Sequence, residues 1–334
     1  MRIAFHVFGF GLRGTEVATY DYAYFNQELL GNDSVIIAPA SSRAPHPDVF
    51  AKFARRFKIL FYDGRDDLAR KLDEAKADVF YCLKGGYNDG ISADNVKTCV
   101  HAVFRSTDFH GHVYAYISQW PAREMTGGGK PFVPHVVHLP DLAADMRQSL
   151  GIPRSALVFG RYGGEGTFNI RFAHDVVRSI ARRRPDIYFL FMNTRPVLRS
   201  RFVRLPLRRD NIVYLPSTAD LHAKTCFINT CDAMLHARAD GETFGLAVAE
   251  FSIRNKPVLT YSGSEDQAHI EMLGEKGLLY SDAEGLGHLI ENFRPDSTAD
   301  WDTYSRHYGP APVMAQFKKV FLDDAPSTGV PTGN

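Results

Sequence analysis

Residues 3–16 have the sequence IAFHVFGFGLRGTE, in which an apolar run leads directly into three glycines. Gly9, Gly11 and Gly14 have the spacing G-x-G-x-x-G, and a segment with helical periodicity follows them. A buried strand, a glycine-rich turn and a helix form the first part of a βαβ unit, and the glycines let backbone approach a phosphate. The stretch therefore predicts a parallel α/β domain whose first turn binds a phosphorylated ligand.

The same alternation of short apolar runs and helical segments continues through the whole chain. It is typical of an α/β fold with a largely parallel sheet. In the first half, the predicted strands are residues 3–8, 35–38, 59–62, 79–83, 99–104 and 113–117, and the predicted helices include 17–30 and 66–75. In the second half, the predicted strands are 158–159, 188–192, 212–215, 233–236 and 258–261, with helices near 172–183 and 244–253.

A Gly- and Pro-rich segment, MTGGGKPFVPHVVHLPD at residues 125–141, separates the two series. A chain of 334 residues suits two domains of ordinary size. We expect an N-terminal Rossmann-like domain at 1–140 and a second one at 141–300. A helix at about 301–323 is expected to pack back on the first domain, and residues 324–334 are expected to lack ordered structure.

Composition excludes several classes of protein. The net charge is +1, so the chain as a whole has no excess of cations that would attract nucleic acid. Four cysteines form no C-x-x-C pair, which favours thiols in a reducing compartment. No run approaches the roughly 20 apolar residues that a membrane span needs. We expect a soluble cytoplasmic protein.

One region departs from this balance of charge. Residues 178–209 contain ten arginines and a single acid, Asp186. The arginines either belong to a solvated helix and loop or form a patch for anionic lipid headgroups or an acidic acceptor. A peripheral contact with a membrane is therefore a further expectation.

The glycines alone do not establish a dinucleotide site. In such a site an acid follows at the end of the second strand and holds the ribose. Here that strand ends in APASSRAP, residues 38–45, without a carboxylate, although Arg43 suits the 2′-phosphate of NADP. An NADP-dependent oxidoreductase that uses the Gly9, Gly11 and Gly14 loop remains an alternative.

The second half contains a sharper pattern, HARADGETFGLAVAEF at residues 236–251. Glu242 and Glu250 are separated by seven residues that include Phe244 and Gly245. If a helix begins near Phe244, its first N–H groups stabilise an anion such as a diphosphate, and the two carboxylates lie on either side. Such an arrangement binds a nucleotide sugar. The alternative is that Glu242 is an N-terminal helix charge and Glu250 a solvated helix residue.

Several segments, taken in order, resemble the GT-B retaining glycosyltransferases of family 4. They are RGTEVATYDYA (13–23), CVHAVF (99–104), LVFGRYGG (157–164), the E-x7-E pattern with F-G inside it, and KPVLTY (256–261). The resemblance implies two Rossmann-like domains that face each other across a cleft, the first on the acceptor side. It implies transfer of a sugar from a nucleotide diphosphate sugar to a hydroxyl of a glycan, a lipid-linked glycan or a small molecule. Retention of anomeric configuration, and no metal or cofactor, are also implied.

The resemblance also implies roles for individual residues. Glu250 would hold the ribose of the donor, and Glu242 would contact the transferred sugar. Arg161 would neutralise the leaving diphosphate. The backbone of Thr243, Phe244, Gly245 and Leu246 would meet the diphosphate and the sugar, Gly14 would admit the diphosphate to the first loop, and His101 would bind the sugar near the reacting centre.

Three positions depart from the family pattern. The lysine that usually follows the arginine is absent, and the next cation after Arg161 is Arg171. Either Arg171 supplies the second positive charge, or it is a solvated helix residue and the leaving group is stabilised differently. Arg13 replaces the first glycine of the N-terminal pair, and Ala102 stands where an acid commonly follows the histidine. Because of the missing lysine, a non-catalytic sugar-nucleotide-binding protein is a second alternative.

Overall fold

The computed structural model describes residues 1–42, 46–197 and 210–323. The chain divides into two compact units: unit 1 contains residues 1–136 and those from 307 onward, and unit 2 contains residues 137–306. Arg43, the second part of the arginine-rich stretch and the predicted tail at 324–334 lie outside the described residues.

Unit 1 is built on a six-stranded parallel sheet. Its strands are β1 (Arg2–His6), β2 (Asp33–Pro39), β3 (Lys58–Tyr62), β4 (Val79–Lys84), β5 (Lys97–Ala102) and β6 (Val113–Tyr116). The helices between them are α1 (Gly14–Glu28), α2 (Pro47–Arg56), α3 (Arg65–Ala75) and, after β6, α4 (Gln119–Thr126). The strand order is β3-β2-β1-β4-β5-β6, the order of a dinucleotide-binding domain.

Unit 2 repeats this arrangement. Its strands are β7 (Leu157–Tyr162), β8 (Ile187–Met192), β9 (Ile212–Leu215), β10 (Ala233–His236), β11 (Gly241–Glu242), β12 (Val258–Tyr261), β13 (Asp266–Gln267) and β14 (Gly277–Tyr280). Its helices are α5 (Arg171–Arg183), α6 (Leu221–Thr230), α7 (Leu246–Ser252), α8 (Ala268–Leu273) and α9 (Ala283–Asn292). The six-stranded parallel sheet has the order β9-β8-β7-β10-β12-β14, and the short strands β11 and β13 pair with each other.

The end of the described chain belongs to unit 1. After α10 (Ser305–Tyr308), helix α11 (Pro310–Phe317) places Phe317 against the rings of Tyr22 and Tyr81, at centroid distances of 5.2 and 5.1 Å. Phe317 and both tyrosines are buried. Burial of three large aromatic rings stabilises the attachment of the C-terminal segment to the sheet of unit 1.

The fold class predicted from the alternation of apolar runs is confirmed, because each predicted strand and helix is present within a few residues. The first helix begins at Gly14, three residues earlier than the periodicity predicts, so Gly14 is a helical residue and not part of the turn. Helices α2, α4, α6, α8 and α9 and strands β11, β13 and β14 were not predicted. Among the described residues, no helix has both the length and the apolar character needed to cross a bilayer.

Candidate active site

The most polar cluster of unit 2 lies at the carboxyl ends of β7 and β10 and on the segments that follow them. In a parallel α/β sheet this edge is where ligands bind, because the loops there are not covered by the crossover helices. Glu242 lies on β11, six residues after the end of β10, and Glu250 lies inside α7. The sheet and the α7 segment therefore bring the two predicted carboxylates to one side of unit 2.

Two basic side chains hold Glu242. Arg238 Nη1 donates to Glu242 Oε2 at 2.9 Å, and His236 Nε2 lies 3.4 Å from Oε1. Burial raises the pKa of Glu242, but the hydrogen bond with His236 and the charge of Arg238 outweigh it and lower the pKa to about 2. The carboxylate is therefore ionised at every physiological pH.

His236 is held in turn from its other side. Thr260 Oγ1 lies 2.8 Å from His236 Nδ1 and 3.0 Å from Nε2 of His269, and both imidazoles are buried. A hydroxyl has one proton and two lone pairs, so Thr260 can donate to one ring and accept from the other. This chain fixes the orientation of His236, whose Nε2 is thereby directed at Glu242.

Glu250 has a different set of partners. Lys224 Nζ on α6 donates to Glu250 Oε1 at 2.7 Å, and the hydroxyl of Tyr162, the last residue of β7, donates to Oε2. The side chain of Glu250 is only 6% exposed, so the expectation of a solvated helix residue is wrong. Lys224 and Tyr162 thus hold the buried carboxylate in a fixed position near the sheet edge.

The segment that carries the two glutamates requires glycine at two positions, one just before Glu242 and one between the glutamates. Gly241 has φ +70°, and a Cβ there would lie 1.9 Å from the carbonyl oxygen of Asp266 on the paired strand. Gly245 has φ +88° and precedes the first residue of α7, Leu246. Both backbone conformations are in the left-handed region, which side chains rarely adopt.

The side chains of Thr243 and Phe244, in the same turn, are buried. Phe244 is buried and packs edge-on against Tyr304 at 6.0 Å, and Thr243 is 8% exposed. The ring of Phe244 is therefore part of the core. Only the backbone of this residue is in a position to serve the donor contact that the resemblance implies.

Arg161, at the end of β7, is almost fully buried and is tied to protein groups. Its Nη1 donates to Asn193 O and to the hydroxyl of Thr194, and its Nη2 donates to Gly164 O at 2.9 Å and to the hydroxyl of Thr167. Burial lowers its pKa to about 10, with Glu242 opposing the shift. The guanidinium is thus charged at neutral pH, and it fixes the loop between β7 and α5.

Arg171, the cation expected to replace the missing lysine, is the first residue of α5 and is exposed. It lies at the same sheet edge because α5 begins there. A cation at a helix N-terminus opposes the helix dipole, so its position costs some stability unless an anion binds nearby. Its contact with a diphosphate stays a prediction.

In unit 1, His101 lies in β5 and has no exposed surface. Its Nδ1 pairs with the hydroxyl of Tyr81 at 2.6 Å, and its Nε2 lies 2.8 Å from Val133 O. Burial lowers its pKa to about 3, so the ring is neutral. The geometry supports a structural role and gives no support to the sugar contact that the resemblance implies, because both ring nitrogens already serve the core.

No family model matches the chain, and no curated protein sequence matches it. Solved structures do match it over nearly its full length. HepE (Alr3699) from Anabaena, in complex with UDP-glucose, is 14% identical with a TM-score of 0.66, over 96% of this chain and 95% of that one. A glycosyltransferase from Rickettsia africae is 12% identical with a TM-score of 0.67, over 97% and 99%. The fold is GT-B.

A third neighbour shows that this fold is not limited to transferases. A protein assigned as a UDP-N-acetylglucosamine 2-epimerase from Listeria monocytogenes is 14% identical with a TM-score of 0.59, over 98% of this chain and 99% of that one. At such identities the likeness establishes the architecture. The reaction depends on the residues at the sheet edge.

The segment DFHGHVY, residues 108–114, contains one aspartate and two histidines, residue types that can bind a metal. Asp108 Oδ2 accepts from the backbone N–H of Asn88, and His112 Nδ1 accepts from that of Thr98, at 2.8 and 3.0 Å. These side chains thus hold loops and a strand edge. No group of three or more metal-ligating side chains occurs in the parts of the chain that the structure describes.

The GT-B site contains residues that sequence reasoning missed. Arg238 and His236 lie within the quoted 236–251 segment, at the end of β10, and their basic character next to the predicted glutamate was an available signal. Lys224 and Tyr162 had no such signal, because each meets Glu250 only through the tertiary packing of α6, α7 and β7.

Proposed function

We propose that this protein is a glycosyltransferase that takes a sugar from a nucleotide diphosphate sugar, with the donor held by unit 2. The observation that carries the proposal is the pair of carboxylates, half-buried Glu242 and buried Glu250, on either side of a left-handed glycine turn, each paired with a basic side chain. Carboxylates accept hydrogen bonds from hydroxyls, and hydroxyls are what the ribose and the sugar of such a donor present.

In this proposal Glu250 accepts from the ribose hydroxyls, and Glu242 accepts from the transferred sugar. Tyr162 and Lys224 keep the carboxylate of Glu250 in place. His236 and Arg238 keep the carboxylate of Glu242 ionised and oriented. Because these hydrogen bonds already fix both carboxylates without the donor, binding of the donor has a small entropic cost for ordering them. The backbone of Thr243 to Leu246 would meet the diphosphate.

Cleavage of the sugar–phosphate bond places negative charge on the departing diphosphate. Arg161 supplies a positive charge from beneath the loop between β7 and α5, and Arg171 supplies one at the start of α5. With arginines in this role, the reaction requires no divalent metal and no other cofactor. Retention follows if the leaving diphosphate accepts the proton of the acceptor hydroxyl on the same face of the sugar.

The acceptor is a hydroxyl of a glycan, a lipid-linked glycan or a small molecule. We place the enzyme in the cytoplasm, since all four of its cysteines are free thiols, which suits a reducing compartment. A peripheral contact with a membrane remains part of the proposal through the arginine-rich stretch, half of which lies outside the described residues.

The first test is calorimetric titration with UDP, GDP and ADP, with NADPH as the competing ligand. We expect one nucleoside diphosphate to bind and NADPH not to bind. NADPH binding without nucleotide binding would overturn the proposal in favour of the oxidoreductase. Turnover of the matching nucleotide sugar, followed by NMR of the product anomer, then separates an enzyme from a binding protein and tests retention.

Metal independence is checked on the same assay. Turnover in excess EDTA should stay within about twofold of the untreated rate, because arginines and backbone N–H groups meet the charge of the diphosphate. Loss of turnover in EDTA that Mn²⁺ or Mg²⁺ restores would contradict this part of the mechanism.

A second candidate, a nucleotide-sugar epimerase, is favoured by the likeness to the Listeria protein. The two reactions differ in their products. Incubation with a UDP-sugar and no acceptor gives an epimeric UDP-sugar if the chain is an epimerase, whereas a glycosyltransferase gives slow release of UDP and free sugar. One NMR spectrum of the mixture distinguishes them.

A further inference from the structure

Two exposed aromatic rings flank one glycine, Gly85, at the carboxyl ends of β4 and β5 in unit 1. Tyr87 is 58% exposed and Phe104 is 51% exposed. Both rings flank Gly85: a Cβ on that glycine would lie 3.5 Å from Cδ2 of each. Large exposed aromatic residues that adjoin each other mark an interaction site, because burial of either ring in the core would otherwise stabilise the fold.

The backbone beneath these rings is fixed by buried hydroxyls. Gly86 O accepts from Tyr114 OH at 2.8 Å and from Ser106 Oγ at 3.1 Å, and Tyr116 OH donates to Ser106 O. Gly86 has φ +102°, and a Cβ there would lie 2.7 Å from Tyr114 OH. The two loops are therefore locked to β6, and they present the rings on a rigid support.

The charges around the rings are nearly balanced. The loops at residues 85–95 and 103–112 carry three acids and one arginine, together with two histidines: Asp89, Asp94, Asp108, Arg105, His110 and His112. Lys130 adds a lysine, 5.0 Å above the ring of Phe109. An anionic bilayer or a nucleic acid needs an excess of cations, which is absent from this set. A neutral ligand rich in hydroxyl groups does not need an excess of cations. Carboxylates and amides form hydrogen bonds with its hydroxyl groups.

We propose that Tyr87 and Phe104 form a stacking platform for a neutral carbohydrate, which is the acceptor. A pyranose ring has an apolar face of C–H groups, and the negative face of an aromatic ring attracts their partial positive charge. The platform lies at the sheet edge where open α/β domains bind ligands. This inference rests on the proposed transfer reaction and narrows its acceptor from any hydroxyl compound to a glycan.

The experiment measures saccharide binding apart from catalysis. Maltohexaose, cellohexaose, chitohexaose and mannohexaose are titrated into the wild-type chain and into Tyr87→Ala, Phe104→Ala, Tyr87→Phe and Leu29→Ala. Leu29 is a matched control, since it is 47% exposed in the same unit but lies at the far end of α1. UDP affinity is measured for each variant.

We expect at least one saccharide to bind, and its affinity to fall at least about fivefold in each alanine variant at the platform. Tyr87→Phe keeps the ring and should keep the affinity, as should Leu29→Ala. UDP affinity should be the same in all five proteins. Circular dichroism confirms that the variants are folded.

Other results would overturn the inference. If UDP binds normally but no saccharide binds, the rings are not a saccharide platform and the proposed reaction is unaffected. The same conclusion holds if saccharide affinity is unchanged in both alanine variants. Binding to phosphatidylglycerol vesicles that Tyr87→Ala and Phe104→Ala abolish would assign the rings to a lipid surface instead. Platform-dependent saccharide binding without any nucleotide binding would sustain the platform and contradict the transfer reaction.

Discussion

The two units share one strand order but differ at the edge where a ligand would bind. In unit 1 the first strand ends at His6, and the first helix contributes Glu16, which is 6% exposed and whose pKa is raised by burial. In unit 2 the first strand ends in Arg161 and Tyr162, and the edge carries paired carboxylates and bases. The same topology thus places paired carboxylates and bases after the first strand of unit 2, and a buried carboxylate, Glu16, after the first strand of unit 1.

This difference indicates how function is divided on a duplicated architecture. Strand order decides where loops leave the sheet, and the residues at the strand ends decide what those loops bind. Diphosphate and ribose need cations and carboxylates, which unit 2 has. Carbohydrate rings need aromatic faces, which unit 1 exposes at β4 and β5. Each prediction below tests one side of this contrast.

The largest expected effect is a difference in acid stability. Burial lowers the pKa of His6, His101 and His135 in unit 1 to about 3 each. Their native pKa lies below the ordinary 6.5, so the native state binds fewer protons than the unfolded chain, and the free energy of unfolding falls as pH drops from 6.5 towards 3. At pH 5.5 each histidine costs about 1.4 kcal/mol, or about 4 kcal/mol for the unit.

Unit 2 should resist acid further. It has one such histidine with a described shift, His269, and the stability that Glu242 contributes is lost only below pH 4.5 as its pKa of about 2 is approached. Hydrogen exchange read by mass spectrometry at pH 7.0 and 5.5, corrected for intrinsic rates, measures both units. His101→Gln should remove about a third of the loss in unit 1. Equal losses in the two units would refute the contrast.

The second prediction concerns the turn that carries Glu242. Gly241→Ala forces a side chain into φ +70° and against the carbonyl of Asp266, so we expect a loss of about 3 kcal/mol in the free energy of unfolding. Gly127→Ala is the control, because Gly127 has φ +58° and ψ +22°, in the left-handed helical region, with open space around a Cβ, and it should cost only about 1 kcal/mol. Denaturant titration compares them, and similar costs would show that the turn tolerates a side chain.

The third prediction compares a buried carboxylate from each unit. Glu250→Gln should weaken binding of the nucleoside diphosphate by about 1.5–3 kcal/mol, the range for a hydrogen bond to a charged group. Glu16→Gln removes a buried carboxylate from unit 1 and should leave nucleotide affinity unchanged. Calorimetric titration of both variants decides the matter, and an unaltered affinity in Glu250→Gln would remove Glu250 from the donor site.

The smallest expected effect belongs to Arg171. Its loss in Arg171→Ala should lower turnover about tenfold with less change in donor KM, since its contribution grows as the leaving group gains charge. Arg182→Ala, at an exposed position of the same helix, is the control and should be close to wild type. A near-normal rate for Arg171→Ala beside a severe loss for Arg161→Ala would show that Arg161 acts without this partner.

Much of the fold could be predicted because it depends on local patterns. Apolar runs such as residues 79–83 and 233–235 are buried on both faces of a sheet, and this burial favours an apolar residue at every position. Helix α6 was missed because its inward face includes Lys224, Thr225 and Thr230, so its apolar periodicity is weak. The strands β11 and β13, of two residues each, are too short to show any period.

The sequence by itself determined the two series of strands and helices, the glycine turns and the position of Glu242 and Glu250 about a helix start, since each depends on residues close together in the chain. Tertiary structure alone decided which charges meet. Glu250 pairs with Lys224, which is 26 residues away in the chain, and Arg161 donates to the loop between β7 and α5. His101 is buried in the core. The physical reason is that burial and ion pairing depend on which elements pack together, and spacing along the chain does not encode that packing.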